Sequence, residues 1–255
     1  MKKHDFFERT ALESDKQIHR RTFFSFIIFA LSGAAGIAGW TWLNHRPRVD
    51  GTLQPLRSTL EINEEILTPT FSEHRLVKTY PASAAVKNVR VNSLIGTRDN
   101  IDINTWRLNV QKSDGSTVLF SLDEIKKLPK KDIVFDFKCV EGWSQIQHWS
   151  GIPLKDFITA ASLHGETKMK YIGLQTPDKK YYIGLDMQSA LHPQTMLCYE
   201  MNGQPLTQAH GYPLRLIVPV KYGIKNLKCI GTMYFSNQKP PDYWAERGYD
   251  YYSGL

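Results

Sequence analysis

The sequence predicts an α+β domain of mixed short strands and helices, preceded by one N-terminal transmembrane helix. Three observations carry this. Residues 22–43 form an apolar run without a charge. Beyond residue 86, β-branched and aromatic stretches are punctuated by Asp-Gly, Asn-Gly and proline turns. The helical patterns between them are too irregular for a βαβ alternation. A chain of 255 residues, 42% apolar and 22% charged, has the volume and the balance for a buried core.

The first 21 residues read as a cytoplasmic tail. About 20 apolar residues suffice to cross a bilayer as a helix, and Thr22–Leu43 meets that length. Arg20 and Arg21 precede the run, and Trp40 and Trp42 sit at its far end, where indoles favour the interface. His19-Arg20-Arg21-Thr22-Phe23-Phe24 resembles a twin-arginine export signal, although two arginines also satisfy the positive-inside rule. This places a single-pass anchor in the inner membrane and the rest of the chain in the periplasm. Residues 1–48 carry +4 of the net charge of +7, beside the apolar run. That distribution suits a membrane surface and excludes a nucleic-acid binder, whose basic patch lies on the folded domain.

Residues 44–85 read as a stalk with scattered prolines and a short amphipathic helix near Leu60–Leu67. The domain proper is 86–255. Ser83–Val91 is extended; Trp106–Val110 and Thr117–Phe120 form a hairpin across Asp114-Gly115. Ser121 and Glu124 make a capping box for a helix that stops before Pro129. Ile133–Phe137 is a strand leading into Cys139, and Pro153–Leu163 is a helix. Lys170–Leu174 and Tyr181–Leu185 pair through Pro177-Asp178. Leu214–Val218 and Lys228–Phe235 complete the strands.

Three clusters carry chemistry. Cys139, in Cys-Val-Glu-Gly-Trp-Ser, stands at a strand end before a glycine loop, where a thiolate can face a cleft and hold a soft metal. Alone, such a cysteine is more often a small buried apolar residue than a ligand. His210 and Arg215 flank a Gly-Tyr-Pro bend that can aim both at one anion, although Arg215 also suits a core ion pair. Lys221, Lys225 and Lys228 fall within eight residues around Gly223, which permits close backbone approach to an oxyanion; such a run is commonly a solvated face. Asn202-Gly203 is a hairpin turn. The three cysteines lack C-x-x-C spacing, which leaves zinc-ribbon, thioredoxin and haem-attachment motifs unsupported; Cys198 and Cys229 are a possible pair.

Taken in order, C-V-E-G-W-S, W-x-G-x-P-L, Y-E-M-N-G-x-P-L, H-G-x-P-x-R-x-x-x-P and K-Y-G-x-K-x-x-K resemble the sulfite oxidase family over roughly residues 90–255. The resemblance implies a sulfite-oxidase-type molybdopterin-binding fold and a molybdenum–molybdopterin cofactor. By position it implies Cys139 as the metal thiolate and essential ionisable group. It implies His210 and Arg215 on the pterin phosphate, with Asn226, Leu227 and Lys228 in a cofactor-contacting segment. Thr176 falls where the family contacts the pterin. Arg90 and Asn92 fall near the first cofactor loop, where Arg90-Val91-Asn92 departs from the family's usual R-N-H or N-N. Tyr181, Tyr182, Tyr212 and Arg90 are further candidates behind the metal or at the substrate, although each reads more readily as structural than as catalytic. His210 follows the sulfite oxidases, whereas Lys221-Tyr222-Gly223 follows bacterial sulfoxide reductases.

The expected function is therefore oxygen-atom transfer, with a small-molecule oxo-donor or acceptor as substrate. Electrons go to or come from a separate partner, a membrane cytochrome or a cytochrome c. The rival reading is a non-catalytic, membrane-anchored cofactor-binding or assembly module on the same fold. Some family members append a dimerisation domain after this core; none is expected here.

Overall fold

A computed structural model describes residues 3–97 and 100–254, with side chains from Asp15 onward. Met1 and Lys2 of the expected tail lie outside the described residues. The chain divides into two compact units, residues 1–49 with 53–56, and residues 50–52 with 57–255.

In the first unit, α1 (Lys3–Asn44) is one continuous helix. Its stretch Asp15–Asn44 is long and apolar enough to cross a membrane. Phe26, Phe29 and Trp40 are exposed on it, and Arg46 stacks over the Trp42 ring at 4.3 Å. The two-residue strands β1 (Arg48–Val49) and β2 (Thr52–Leu53) precede α2 (Gln54–Leu67). This helix starts six residues before the predicted Leu60. Pro55 is compatible with the earlier start, because first-turn N–H groups have no intrahelical partner to lose.

The second unit is built on two mainly antiparallel five-stranded sheets. One is ordered β4-β3-β12-β7-β8, with β3 (Leu108–Gln111), β4 (Thr117–Phe120), β7 (Tyr171–Gln175), β8 (Tyr182–Asp186) and β12 (Thr232–Ser236). Only the β12–β3 pair in it is parallel. The other runs β10-β9-β6-β5, with β11 also on β9. It contains β5 (Lys131–Lys138), β6 (Ser144–Pro153), β9 (Met196–Met201), β10 (Gln204–Pro205) and β11 (Arg215–Ile217). Short helices α3 (Leu122–Lys126), α4 (Leu154–Ala160) and α5 (Met187–Ala190) fill the joins.

Local chemistry explains the joins. Ser121 accepts from the Glu124 N–H while the Glu124 carboxylate accepts from Ser121, which is the expected capping box. Asn202 and Gly203 both have positive φ, as a two-residue hairpin between β9 and β10 requires. Thr176 holds the β7–β8 turn through Asp178 and Tyr181.

Three expectations are corrected. Ser83–Val91 is not extended from its start: residues 82–84 form a 3-10 turn, and the extended backbone begins at Ala85. The helix expected over Pro153–Leu163 covers only Leu154–Ala160, since β6 runs through Pro153. The last strand begins at Thr232 rather than Lys228. Cys229 has φ +51, and the carbonyls of Gly211 and Leu214 draw the N–H groups of Cys229 and Ile230 out of the ladder. The pairing of Cys198 with Cys229, left open by the sequence, is not made: all three cysteines are buried thiols.

The larger core joins the two sheets around Leu108, Ile152, Phe157, Leu174, Leu216 and Met233, all buried. A second cluster, Phe135, Phe137, Trp149, Cys198 and Ile217, lies under β5 and β6. Burial of such side chains stabilises by about 1.5–3 kcal/mol each. The cleft described next opens beside this second cluster.

Candidate active site

Cys139 stands where β5 ends. Its N–H donates to the Trp143 carbonyl at 2.9 Å, and Gly142, at φ +84, returns its N–H to the Cys139 carbonyl at 3.1 Å. Glycine suits this tight return, and the turn sets the largely buried Cys139 in the wall of a cleft of about 810 Å³ that opens to solvent. Of the predicted site residues, Cys139, Arg90, Asn92, Arg215, Asn226 and Lys228 line it. Thr176, His210 and Leu227 do not.

At the mouth, the Glu141 carboxylate gathers three neighbours. It accepts from Trp143 Nε1 at 3.1 Å and Asn92 Nδ2 at 3.4 Å, and faces Arg90 at 3.9 Å. Arg90 also stacks over the Trp143 ring at 4.9 Å. Asn92 Nδ2 lies 3.7 Å from Cys139 Sγ. Burial pushes the Cys139 thiol up, so the free thiol stays protonated at neutral pH; a bound metal cation reverses that balance.

The inner wall is cationic. Arg215 is 6% exposed. Its guanidinium lies over Trp149 at 4.6 Å and Nη1 donates to the His210 carbonyl at 3.1 Å, while Nε has no partner. Lys228 Nζ donates to the carbonyls of Asn92, Ser93 and Ala209 at 2.7, 2.8 and 2.9 Å. Among the described residues no carboxylate pairs with either cation. Burial pulls Arg215 down to about 10, and burial with the neighbouring Arg215 pulls Lys228 down to about 7. These shifts have the sign of buried bases that lack a counter-ion.

His210 sits behind this wall. Burial, then Arg215 and Lys228, lower it to about 4, so it is neutral. Its Nε2 is 3.3 Å from the Val89 carbonyl and Nδ1 3.2 Å from Thr207 Oγ1, which fits a proton on Nε2 and an acceptor at Nδ1. Asn226 accepts the Val218 N–H at 2.7 Å and donates to the Tyr222 carbonyl at 3.1 Å. Leu227 is fully buried and contributes its carbonyl to Leu216. Thr176 is buried against Gly96, where an added Cβ would sit 2.4 Å from its methyl.

Four aromatic lining residues carry no role expected from the sequence: Phe137, Trp143, Trp244 and Tyr249. Tyr181 also lines the cleft and donates to the Ile224 carbonyl at 2.7 Å; Tyr182 and Tyr212 do not line it. The signal for Trp244 and Tyr249 was the aromatic density of residues 243–252, which no periodic pattern accompanies.

The donor set fits a molybdopterin-type group. The cleft offers one soft sulfur and a cationic wall with an unpartnered Arg215 Nε. Among the described residues no group of three or more His, Cys, Asp or Glu gathers. A metal at Cys139 would therefore take one ligand from the chain and the others from an organic group, and an anionic tail would complete the wall.

Residues 95–244, more than half of the chain, match the family model described as oxidoreductase molybdopterin binding domain. A subunit provisionally assigned to a protein-methionine-sulfoxide reductase, YedZ1 of Azospira oryzae, is 35% identical over 72% of this chain and 70% of its own length. Protein-methionine-sulfoxide reductase catalytic subunits MsrP are 32% identical in Ralstonia nicotianae, over 59% of this chain, and 30% in Campylobacter jejuni, over 63%. The matches span 50% and 60% of those two relatives. The sulfane dehydrogenase SoxCD of Paracoccus pantotrophus aligns with a TM-score of 0.49 at 18% identity, over 66% of this chain and 46% of that one.

Proposed function

We propose, from the premise that the chain belongs to the oxidoreductase molybdopterin binding domain family, that it reduces sulfoxides, with methionine sulfoxide in proteins as the substrate class. The observation that carries the molybdopterin part is Cys139 facing the same cleft as the uncompensated cations Arg215 and Lys228. The direction of turnover rests on the names of the relatives. Molybdenum–molybdopterin, when bound, supplies a two-electron centre that exchanges one oxygen atom with substrate.

The chain's own residues hold and shape. Cys139 is the protein ligand of the metal. Arg215 takes the anionic tail of the cofactor through its free donors, and Lys228 adds positive charge while tying the 92–93 carbonyls to the wall. His210 reads as the neutral support behind Arg215. Asn226 and Leu227 fix the backbone beside them, and Thr176 fixes the turn behind Gly96. Arg90 and Asn92 order the mouth. Tyr181, Trp143, Trp244 and Tyr249 form an aromatic surround against which the sulfur-bearing side chain can pack.

We assign residues 1–21 to a cytoplasmic tail, 22–43 to a membrane anchor reached by the twin-arginine route, 44–85 to a stalk and 86–255 to the periplasmic oxidoreductase domain. The apolar helix Asp15–Asn44 supports this reading. Electrons come from a separate cytochrome in or near the membrane.

Metal analysis of protein from a cofactor-making host tests the core of the proposal. About one molybdenum per chain is expected in wild type and near none in Cys139→Ser. Equal, near-zero metal in both would leave a binding or assembly module instead. Oxidation of a reduced dye by a sulfoxide panel, set against sulfite with a cytochrome acceptor, tests direction; turnover with sulfite alone rules out the reductase. Changing Arg20 and Arg21 to lysine should stop export of the folded domain.

A further inference from the structure

The aromatic side of the cleft depends on a turn, residues 242–249, that contributes Trp244 and Tyr249 to the lining. Its two ends are held differently. At the start, Asp242 Oδ1 accepts the N–H groups of Trp244 and Ala245 at 3.2 and 3.0 Å. Further along, the Ala245 carbonyl is buried and the Tyr249 carbonyl part-buried, and a carbonyl withdrawn from water needs a donor. Arg57, 5% exposed, supplies it. Its Nη1 donates to the Tyr249 carbonyl at 3.0 Å, and Nη2 donates to the carbonyls of Ala245 and, at 2.9 Å, Asp50. A buried guanidinium satisfied by carbonyls, with Nε left unpartnered, is a costly arrangement unless the geometry it imposes matters.

A second contact says the same. Gly51, at φ +75, packs on the turn so closely that an added Cβ would lie 2.8 Å from the Arg247 carbonyl carbon. Within the turn, Trp244 and Tyr249 meet edge to face at 5.0 Å, and the Tyr249 N–H donates to the Trp244 carbonyl at 3.0 Å. Moving the 245 and 249 carbonyls therefore moves both rings.

We propose that Arg57 is a positioning residue for the cleft: its fork fixes the 245–249 turn, and with it the placement of Trp244 and Tyr249 against the substrate. Arg57 touches neither the cleft nor Cys139, and acts only through the two rings. The role in turnover rests on the sulfoxide-reductase reading; the structural role does not.

The test uses full-length, cofactor-loaded protein in detergent. Arg57→Lys keeps the charge but replaces a divergent fork by a single ammonium. Gly51→Ala leaves Arg57 in place and presses a methyl on the Arg247 backbone. Hydrogen exchange of the 242–249 peptide is followed with steady-state kinetics on a methionine-sulfoxide peptide. In both variants exchange there should rise about fivefold or more, with peptides from β6 and β9 unchanged. KM should rise several-fold while kcat stays within about twofold. Unchanged exchange at 242–249 overturns the proposal, as does faster exchange with unaltered KM. So does a general rise in exchange with kcat and KM degraded together, which marks a merely structural arginine. If wild type reduces no sulfoxide, the functional reading falls separately, and the exchange result alone decides the role of Arg57.

Discussion

Two groups of buried cations lie within a few residues of one another and are treated in opposite ways. Lys225 Nζ pairs with Asp242 and donates to the Gly184 carbonyl at 2.8 Å, and Lys221 Nζ lies 3.1 Å from Asp186. Arg215 and Lys228, on the cleft side, have carbonyls and rings around them but, among the described residues, no carboxylate. In the first group the chain carries its own counter-ions, and the charges belong to the fold. In the second the counter-ion is missing, and the charges read as a receptor for an anion from outside. The difference assigns roles to lysines that share one eight-residue stretch.

The comparison breaks most sharply at Lys225. Lys225→Met should leave Asp242 buried and unpaired, and destabilise the domain by about 3–5 kcal/mol in a urea titration. Asp242 also holds the start of the 242–249 turn, so part of this loss would appear as faster exchange there. A loss below about 1 kcal/mol would mean the pair contributes no more than an exposed one.

The same substitution on the other side should behave differently. Arg215→Met removes a buried cation that has no counter-ion, and the methionine can still lie on Trp149. Stability of the cofactor-free protein should change by no more than about 1 kcal/mol. Retention of the cofactor should fall by about a hundredfold, since truncating one partner of a desolvated charge pair costs about 2–5 kcal/mol. Molybdenum content after dialysis measures the second effect and urea titration the first. A large stability loss with intact cofactor retention would move Arg215 from the receptor group into the structural one.

How far the sequence showed this follows from which features are local. The capping box at Ser121, the Asn202-Gly203 hairpin and the β5 strand into Cys139 depend on neighbours in the chain, and all three were legible. The central strand β6 was not. Ser-Gln-Ile-Gln-His-Trp-Ser-Gly-Ile-Pro lacks clean alternation, because a register shift between Ser150 and Gly151 buries successive residues from Trp149 to Pro153. Its glycine is required by the Leu197 carbonyl, which would lie 2.0 Å from an added Cβ. The site was legible as an ordered set of motifs. Its electrostatic sorting was not, since Asp186 and Asp242 are 35 and 17 residues from the lysines they neutralise. Spacing made Lys221, Lys225 and Lys228 look like one solvated run; packing buries Lys221 and Lys225 with their own anions and sends Lys228 to the cleft.

The smallest expected effect sharpens the same contrast through pH. His210 is held neutral near the uncompensated cations, at about 4 in the fold against 6.5 for an unperturbed histidine. A depressed folded value means the unfolded chain binds more protons between those two limits, so stability rises with pH across that window and falls as the protein is acidified through it. Between about pH 7 and 5.5 this single group should remove about 1 kcal/mol. Cofactor-free wild type should therefore melt at a lower temperature at the acid end, with His210→Asn flattening the slope. Adding the anion inverts the local balance: a phosphate beside Arg215 and Lys228 stabilises protonated His210, raises its value and shrinks the slope in the loaded enzyme. Equal slopes with and without cofactor would mean that no anion reaches this wall, and that its cations are compensated in some way the pairing of Lys225 and Lys221 does not exemplify.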